Sequence, residues 1–186
     1  MRVGARRAVR AQVVVVTTTG LLLGSVGCGT RTEVAPSALP VSVADLAEPA
    51  TEDVVLQVRG GASNSDDGLR LSREQIERLG TREITVYEPF VAEDVTFTVV
   101  PWSSVLELAD LPDDVETLHT VAYNEYEVDI PTDVADEPGV WLATRQDGEP
   151  IEVADGGPTR VVFDDTHPDA GNESLWIWSI ALVEPS

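Results

Sequence analysis

The stretch LSREQIERLG (residues 71–80) carries the strongest local structural signal in this chain of 186 residues. Ser72 is a typical helix N-cap, and Gln75 stands three residues later, where a capping box needs its second partner. Gly80 is a typical residue at which a helix ends. The residues predicted to face a core are Leu71, Ile76 and Leu79. The pattern predicts one short helix that begins at Ser72.

Short apolar or alternating runs on both sides of this helix predict β-strands. The predicted strands cover residues 53–59, 84–86, 95–99, 117–123, 126–130, 140–144, 151–153, 160–163 and 175–183. Gln146-Asp147-Gly148-Glu149 predicts a hairpin turn. Residues 101–108 predict a second short helix, with Pro101 in its first turn. We therefore predict an α+β domain, mainly β, with a mixed sheet and two short helices.

The first 27 residues have the composition of an export signal. Four arginines (Arg2, Arg6, Arg7 and Arg10) precede an apolar stretch over residues 13–23, and small residues lead to Cys28. Ser25-Val26-Gly27-Cys28 resembles the lipobox of bacterial lipoproteins, in which the cysteine becomes the lipidated N-terminus. An ordinary signal peptide with a chance cysteine is the alternative. Arg6-Arg7 also loosely resembles a twin-arginine signal, so the sequence does not decide between the two export routes.

The predicted organisation has three parts. Residues 1–27 are a lipoprotein signal peptide, residues 28–50 are the lipidated N-terminus with a flexible tether, and residues 51–186 form the domain. Lipidation of Cys28 would anchor the domain on the extracytoplasmic face of the cell membrane, where a membrane protein partner is compatible with it. Cys28 is the only cysteine, so the domain has no intramolecular disulfide. The sequence does not indicate an oligomeric state.

The charge is strongly negative, with 33 Asp and Glu against 12 Lys and Arg and a formal net charge of −21 at pH 7. Such a surface repels nucleic acid, so we expect no nucleic-acid partner. It suits divalent cations or a cationic partner, although the favoured explanation is that acidic residues keep an exported protein soluble in salt. The oxygen-rich loop that starts at Asp164-Asp165-Thr166-His167 matches no calcium-loop spacing. A cation-binding surface module therefore stays an alternative function.

Several short motifs occur in an order that resembles a known family. They are Leu71-Ser72 before the first helix, Val100-Pro101-Trp102 before the second, the hairpin over residues 122–131, Leu142-Ala143 with Gly148-Glu149-Pro150, Gly156-Gly157-Pro158-Thr159-Arg160, and the closing run over residues 174–180. Together they resemble the oxidoreductase molybdopterin-binding domain family, which has the sulfite-oxidase fold. The resemblance covers residues 54–183.

The resemblance implies a molybdopterin cofactor whose phosphate is bound by cationic side chains and backbone amides of the protein. The candidates for these contacts are Arg160, Asn124 and Arg145, with Arg82 as a further cation. The resemblance also implies a molybdenum-ligating cysteine between the two helices, but residues 80–100 contain none. Tyr87, Glu88 and Pro89 cannot replace a soft thiolate. We assign no catalytic residue and no metal ligand, and whether the protein is an enzyme stays open.

Two functions follow from this resemblance. The first is a non-catalytic binding or accessory module on the membrane, and the alternative is an oxidoreductase component with an atypical metal shell. Arg160, after the rigid Gly157-Pro158 turn, is well placed to meet an anion. A structural ion pair with one of the many acids is an equal alternative for this arginine.

The remaining aromatic and imidazole side chains have mainly structural interpretations. Trp176 and Trp178 stand two residues apart, so they are predicted to share one face of the last strand and to pack in the core. Trp102 and Trp141 have the same core interpretation. His119 is predicted to be hydrogen-bonded or on the wet face of its strand rather than an acid or base.

Overall fold

The structure, a computed structural model, describes residues 41–186. The predicted signal peptide, Cys28 and the tether up to residue 40 lie outside the described residues. The described part contains ten strands and three short α-helices. The predicted α+β class with mainly β content is therefore confirmed, with one helix more than expected.

The strands and helices are numbered in chain order. The strands are β1 (Val54–Val58), β2 (Leu69–Ser72), β3 (Arg82–Glu88), β4 (Glu93–Pro101), β5 (Thr117–Ala122), β6 (Glu127–Pro131), β7 (Val140–Gln146), β8 (Glu149–Pro150), β9 (Arg160–Phe163) and β10 (Ile180–Pro185). The helices are α1 (Arg73–Glu77), α2 (Trp102–Ala109) and α3 (Thr132–Ala135). The unpredicted helix is α3, which has a single turn and too few residues to show a helical period.

The strands form two sheets. The first has the order β2-β1-β10-β5-β6, in which only the β1–β10 pair is parallel, so it is the predicted mixed sheet. The second has the order β3-β4-β7-β8, and β9 also pairs with β7. All pairs of the second sheet are antiparallel. One cluster of buried apolar side chains draws on strands of both sheets.

The first helix is built as its sequence predicts. The Ser72 hydroxyl accepts the backbone N–H of Gln75 at 3.3 Å, and the Gln75 side chain accepts the backbone N–H of Ser72 at 2.9 Å. These two bonds satisfy donors that the first turn of a helix leaves free. Leu71 and Ile76 are fully buried, as expected, and Leu79 is half-buried.

Two predicted strands are wrong in whole or in part. Residues 151–153 do not form a strand, because residues 152–156 close on themselves through the N–H of Asp155 to Glu152 and the N–H of Gly156 to Val153. The predicted strand over residues 175–183 begins only at Ile180. Ser179 has a φ of 55°, and this left-handed conformation interrupts the extended backbone before β10.

The domain begins before residue 51, the boundary predicted from the sequence. Leu46 is 5% exposed and belongs to the core cluster. Arg70 forms an ion pair with Glu48 at 2.6 Å, and the Gln75 side chain donates to the carbonyl of Ala47 at 2.7 Å. Residues 41–50 therefore pack on the domain instead of continuing the predicted tether. Within residues 41–186, no helix has the length and apolar character needed to span a membrane.

Candidate functional site

A buried ion pair joins β3 to β9. Arg160, the first residue of β9, is 2% exposed, and Glu88, the last residue of β3, is 1% exposed. The Nη2 of Arg160 donates to Oε1 of Glu88. The second carboxylate oxygen, Oε2, accepts the backbone N–H of Val91 at 2.7 Å. Of the two interpretations of Arg160, the structure shows the structural ion pair.

The Arg160 guanidinium also lies against two aromatic rings. Its central carbon is 4.3 Å from the ring centre of Trp178 and 5.2 Å from that of Phe97. Burial lowers the pKa of Arg160, while the charge and hydrogen bond of Glu88 raise it. An arginine stays protonated in proteins, so the pair is a cation and an anion that neutralise each other. The Nε of Arg160 has no hydrogen-bond partner.

An open cleft of about 440 Å³ is lined in part by Trp178, one of the two rings that Arg160 contacts. Its walls are mainly rings, and its polar groups are few. The lining residues, which define the aromatic cleft, are Phe90, Tyr126, Trp176 and Trp178, with Asn124, Glu173 and Ser174. A concave, mainly apolar site with a few polar groups is the usual form of a small-molecule site.

Three loops bring these residues together. Phe90 lies in the turn between β3 and β4, and its ring centre is 5.4 Å from that of Trp178 at an angle of 74°. Asn124 and Tyr126 lie in the turn between β5 and β6, where Oδ1 of Asn124 accepts the backbone N–H of Tyr126 at 3.2 Å. Trp176 comes from the segment before β10 and donates its Nε1–H to the carbonyl of Ala170 at 3.0 Å.

The position of Trp178 depends on two unusual backbone residues. Gly156 has a φ of 86°, and a Cβ added there would come within 2.7 Å of the Trp178 ring. The N–H of Ser179 donates to the Gly156 carbonyl at 2.7 Å. Glycine is required at residue 156 both for its left-handed backbone and for the close approach of the indole. The prediction that Trp176 and Trp178 share a strand face is wrong, because neither residue lies in a strand.

The charge of the cleft is negative. Among residues 41–186, Glu173 is the only charged side chain that lines it, and no arginine or histidine of this range does. The Nε1 of Trp178 is buried without a hydrogen-bond partner, as is the Nε of Arg160. Because both atoms are buried, a molecule in the cleft meets ring surfaces rather than these two donors.

The predicted cofactor contacts do not form one group. Asn124 lines the aromatic cleft, and Arg160 lies against Trp178. Arg145 is bound instead to Glu77 of α1, with Nε 2.7 Å from Oε1 and Nη2 3.1 Å from Oε2. The Glu77 side chain raises the pKa of Arg145.

The fourth candidate, Arg82, lies 4.4 Å above the ring centre of Trp141. Like Arg145, it is not among the residues that line the aromatic cleft. The structure therefore brings together Asn124 and, through Trp178, Arg160, but neither of the other two arginines.

The other candidate groups have structural contacts. Nδ1 of His119 lies 2.9 Å from Oδ1 of Asp129, and this hydrogen bond raises the pKa of His119. In the oxygen-rich loop, Asp165 accepts the backbone N–H of Tyr87 at 2.9 Å, and Asp164 accepts the N–H of Thr166 at 3.0 Å. Across residues 41–186, no group of three or more His, Cys, Asp or Glu is placed to hold a metal ion.

Sequence reasoning did not identify Phe90, Tyr126 or Glu173 as site residues, or Glu88 as the partner of Arg160. An aromatic residue in a turn is a weak signal; Pro89-Phe90-Val91 carries one, and Tyr123-Asn124-Glu125-Tyr126 carries two. No sequence signal distinguishes Glu88 from the other acids. Its burial depends on the distant Arg160 side chain, which lies 72 residues along the chain.

The comparisons with known proteins agree with this architecture. Residues 70–183 match the family model described as the oxidoreductase molybdopterin binding domain, which confirms the predicted resemblance. Among solved structures, the sulfane dehydrogenase SoxCD from Paracoccus pantotrophus is similar in fold, with a TM-score of 0.53 and 15% sequence identity. The match covers 74% of this chain but only 39% of that chain. No curated protein matches the sequence.

The residues of the site do not fit a molybdenum–pterin cofactor. Between α1 and α2, the one buried polar side chain of the described residues is Glu88, and Arg160 already neutralises it. This stretch offers no thiolate, which molybdenum would require as a soft ligand. A pterin phosphate would find no cation among the residues that line the aromatic cleft, where the charged group is the carboxylate of Glu173.

Proposed function

Because the chain belongs to the oxidoreductase molybdopterin-binding domain family, we propose that it uses the family's fold as a binding module rather than as a molybdenum enzyme. A lipid on Cys28 would hold this module at the extracytoplasmic face of the cell membrane. The aromatic cleft would be its binding site. Its partners would be the membrane and the molecule that occupies the cleft.

One observation carries the non-catalytic part of the proposal. The stretch between α1 and α2, in which the family's cysteine is expected, places a carboxylate in the interior, and that carboxylate is bound to Arg160 and to the N–H of Val91. Both oxygens of Glu88 are thus committed to protein donors. Removing the charge of Arg160 or of Glu88 would leave the other of these two charges buried and unpaired, which costs unfolding free energy. Breaking the pair would therefore destabilise the fold, and both oxygens of Glu88, the buried carboxylate of this stretch, are already bound to protein donors.

The anchored location rests on the sequence of the leader. A basic start, an apolar stretch and small residues before Cys28 form the pattern of an exported lipoprotein. Acylation of this cysteine adds about 0.8 kcal/mol of membrane affinity per buried CH₂, and more than one chain gives a stable anchor. A Cys28→Ala variant tests this part. We expect wild-type protein in the membrane fraction and the variant outside it, and equal membrane retention of both would contradict the anchor.

Metal analysis tests the catalytic question. The full-length protein is purified from its native host, and molybdenum and oxidised pterin are measured per chain. A cysteine-containing member of the family, purified in the same way, is the positive control. We expect the control to carry molybdenum and this protein to lack it. Stoichiometric molybdenum in this protein would overturn the proposal and support the oxidoreductase component with an atypical metal shell.

A further inference from the structure

We infer that the aromatic cleft binds an organic cation of the quaternary ammonium class. The inference rests on the proposed binding role and names the class of ligand for that site. It is carried by one concave surface in which the described residues supply exposed rings and one carboxylate but no cation.

The ring surfaces are available to a ligand. Tyr126 is 48% exposed and Phe90 is 49% exposed. Such exposure is unusual for large aromatic side chains, which are more often buried in folded proteins. Tyr126 and Phe90 stand in two different turns and meet at the same cleft with Trp176 and Trp178. A cation within about 6 Å of a ring centre is attracted by the negative face of the ring. Recognition of quaternary ammonium groups by such rings is a known use of this attraction.

The charge of the cleft selects for a cation. Glu173 contributes a carboxylate, and none of the lining residues contributes a positive group. An anion would meet that carboxylate in a chain that already carries a formal net charge of −21. A quaternary ammonium has no N–H to donate, so it loses little by exchanging water for ring faces.

Trp178 already has one cation of the protein against its ring. The Arg160 guanidinium lies 4.3 Å from its ring centre, which is the geometry of a cation–π contact. The charge of that guanidinium is neutralised by Glu88, so it does not oppose a second cation at full strength. The rings left for the ligand are those of Phe90 and Tyr126, because Trp176 lines the cleft but is only 3% exposed.

Titration calorimetry on the purified full-length protein tests the inference. The probe is choline chloride, and the comparison is 3,3-dimethylbutan-1-ol, which has the same shape but no charge. We expect choline to bind and the neutral alcohol to bind severalfold more weakly, because the ring attraction requires the charge. Equal binding of the two would identify a merely apolar cleft and overturn the inference. Preferential binding of sulfate over choline, or no choline binding at millimolar concentration, would also overturn it.

Two variants and a matched control locate the site. Glu173→Gln removes the carboxylate at nearly constant shape, and Tyr126→Leu removes one ring; each is expected to weaken choline binding severalfold. Tyr123→Leu is the control, because Tyr123 lies in the same turn and is 50% exposed but does not line the cleft. Its choline affinity is expected to stay that of the wild type. An equal loss in all three variants, at unchanged urea midpoints, would overturn the assignment of the cleft.

The choline titration and the molybdenum analysis test different parts of the proposal, so a negative result in one does not decide the other. Absence of choline binding in molybdenum-free protein overturns the ligand class and leaves the non-catalytic role standing. Stoichiometric molybdenum overturns the non-catalytic role whether or not choline binds.

Discussion

The buried pair between Glu88 and Arg160 gives the sharpest quantitative prediction. In a Glu88→Gln variant the guanidinium stays charged at 2% exposure without its counter-charge. The amide also has one oxygen where the carboxylate has two, so either Arg160 or the N–H of Val91 loses its acceptor. Removing one partner of a buried pair costs about 3–5 kcal/mol of unfolding free energy. For a domain of this size that corresponds to a fall in Tm of roughly 6–20 °C.

Urea unfolding followed by tryptophan fluorescence measures this loss. Glu83→Gln is the matched control, because Glu83 is an exposed acid on the same strand β3. Its effect is expected to stay within about 0.5 kcal/mol. Loss of less than about 1 kcal/mol in Glu88→Gln would refute the argument, because the cost comes from leaving a buried charge unpaired.

A double-mutant cycle separates the pair from its surroundings. Arg160→Met alone leaves the Glu88 carboxylate buried without its cation, so it is also expected to be strongly destabilising. In the double variant Arg160→Met/Glu88→Gln neither charge remains. The double variant is therefore expected to cost about 1–3 kcal/mol less than the sum of the two single variants. Simple additivity would mean that the two side chains do not interact as described.

Three further predictions concern other parts of the domain. Ser72→Ala removes the N-cap bond of α1 and is expected to cost about 1 kcal/mol in urea unfolding; no loss would mean that the capping box contributes nothing. The hydrogen bond that His119 makes to the Asp129 carboxylate raises the pKa of His119, so the stabilising effect of this bond is complete below the unfolded pKa of about 6.5 and is lost as pH rises through the folded pKa. An NMR titration of His119 that gives a pKa at or below that value would contradict this sign. Gly156→Ala and Gly148→Ala both strain a left-handed backbone, but only the first brings a Cβ within 2.7 Å of an indole ring. Thermal unfolding is expected to show the larger loss for Gly156→Ala, and equal losses would exclude the collision.

The sequence predicts the locally determined parts of this fold well. The capping box at Ser72, the second helix after Pro101 and the turn at Asp147-Gly148 all depend on residues close together in the chain, and the structure confirms each of them. Both turn residues have positive φ, as a two-residue hairpin turn requires. Where neighbouring residues alone determine the conformation of a segment, the sequence is sufficient to predict that segment.

The candidate site is less predictable because it depends on distant contacts. Alternation over residues 175–183 favours a strand, yet the carbonyl of Ile177 accepts the N–H of Val161, and Ser179 turns the chain toward Gly156. These bonds come from other segments and override the local pattern. The burial of Glu88 likewise depends on Arg160. The ring cluster could not be assembled from the sequence, since its members come from three separate loops.

The position of β10 has a consequence for how the chain reaches its native state. This strand is the last of the ten that the structure describes, yet it lies between β1 and β5 in the middle of the mixed sheet. Until it emerges from the ribosome, the β1–β2 and β5–β6 hairpins have no strand between them and cannot become one sheet. Closure must then join β1 to a strand more than a hundred residues later, which makes assembly slow. A chain that has not yet incorporated β10 would therefore remain incompletely folded in this sheet.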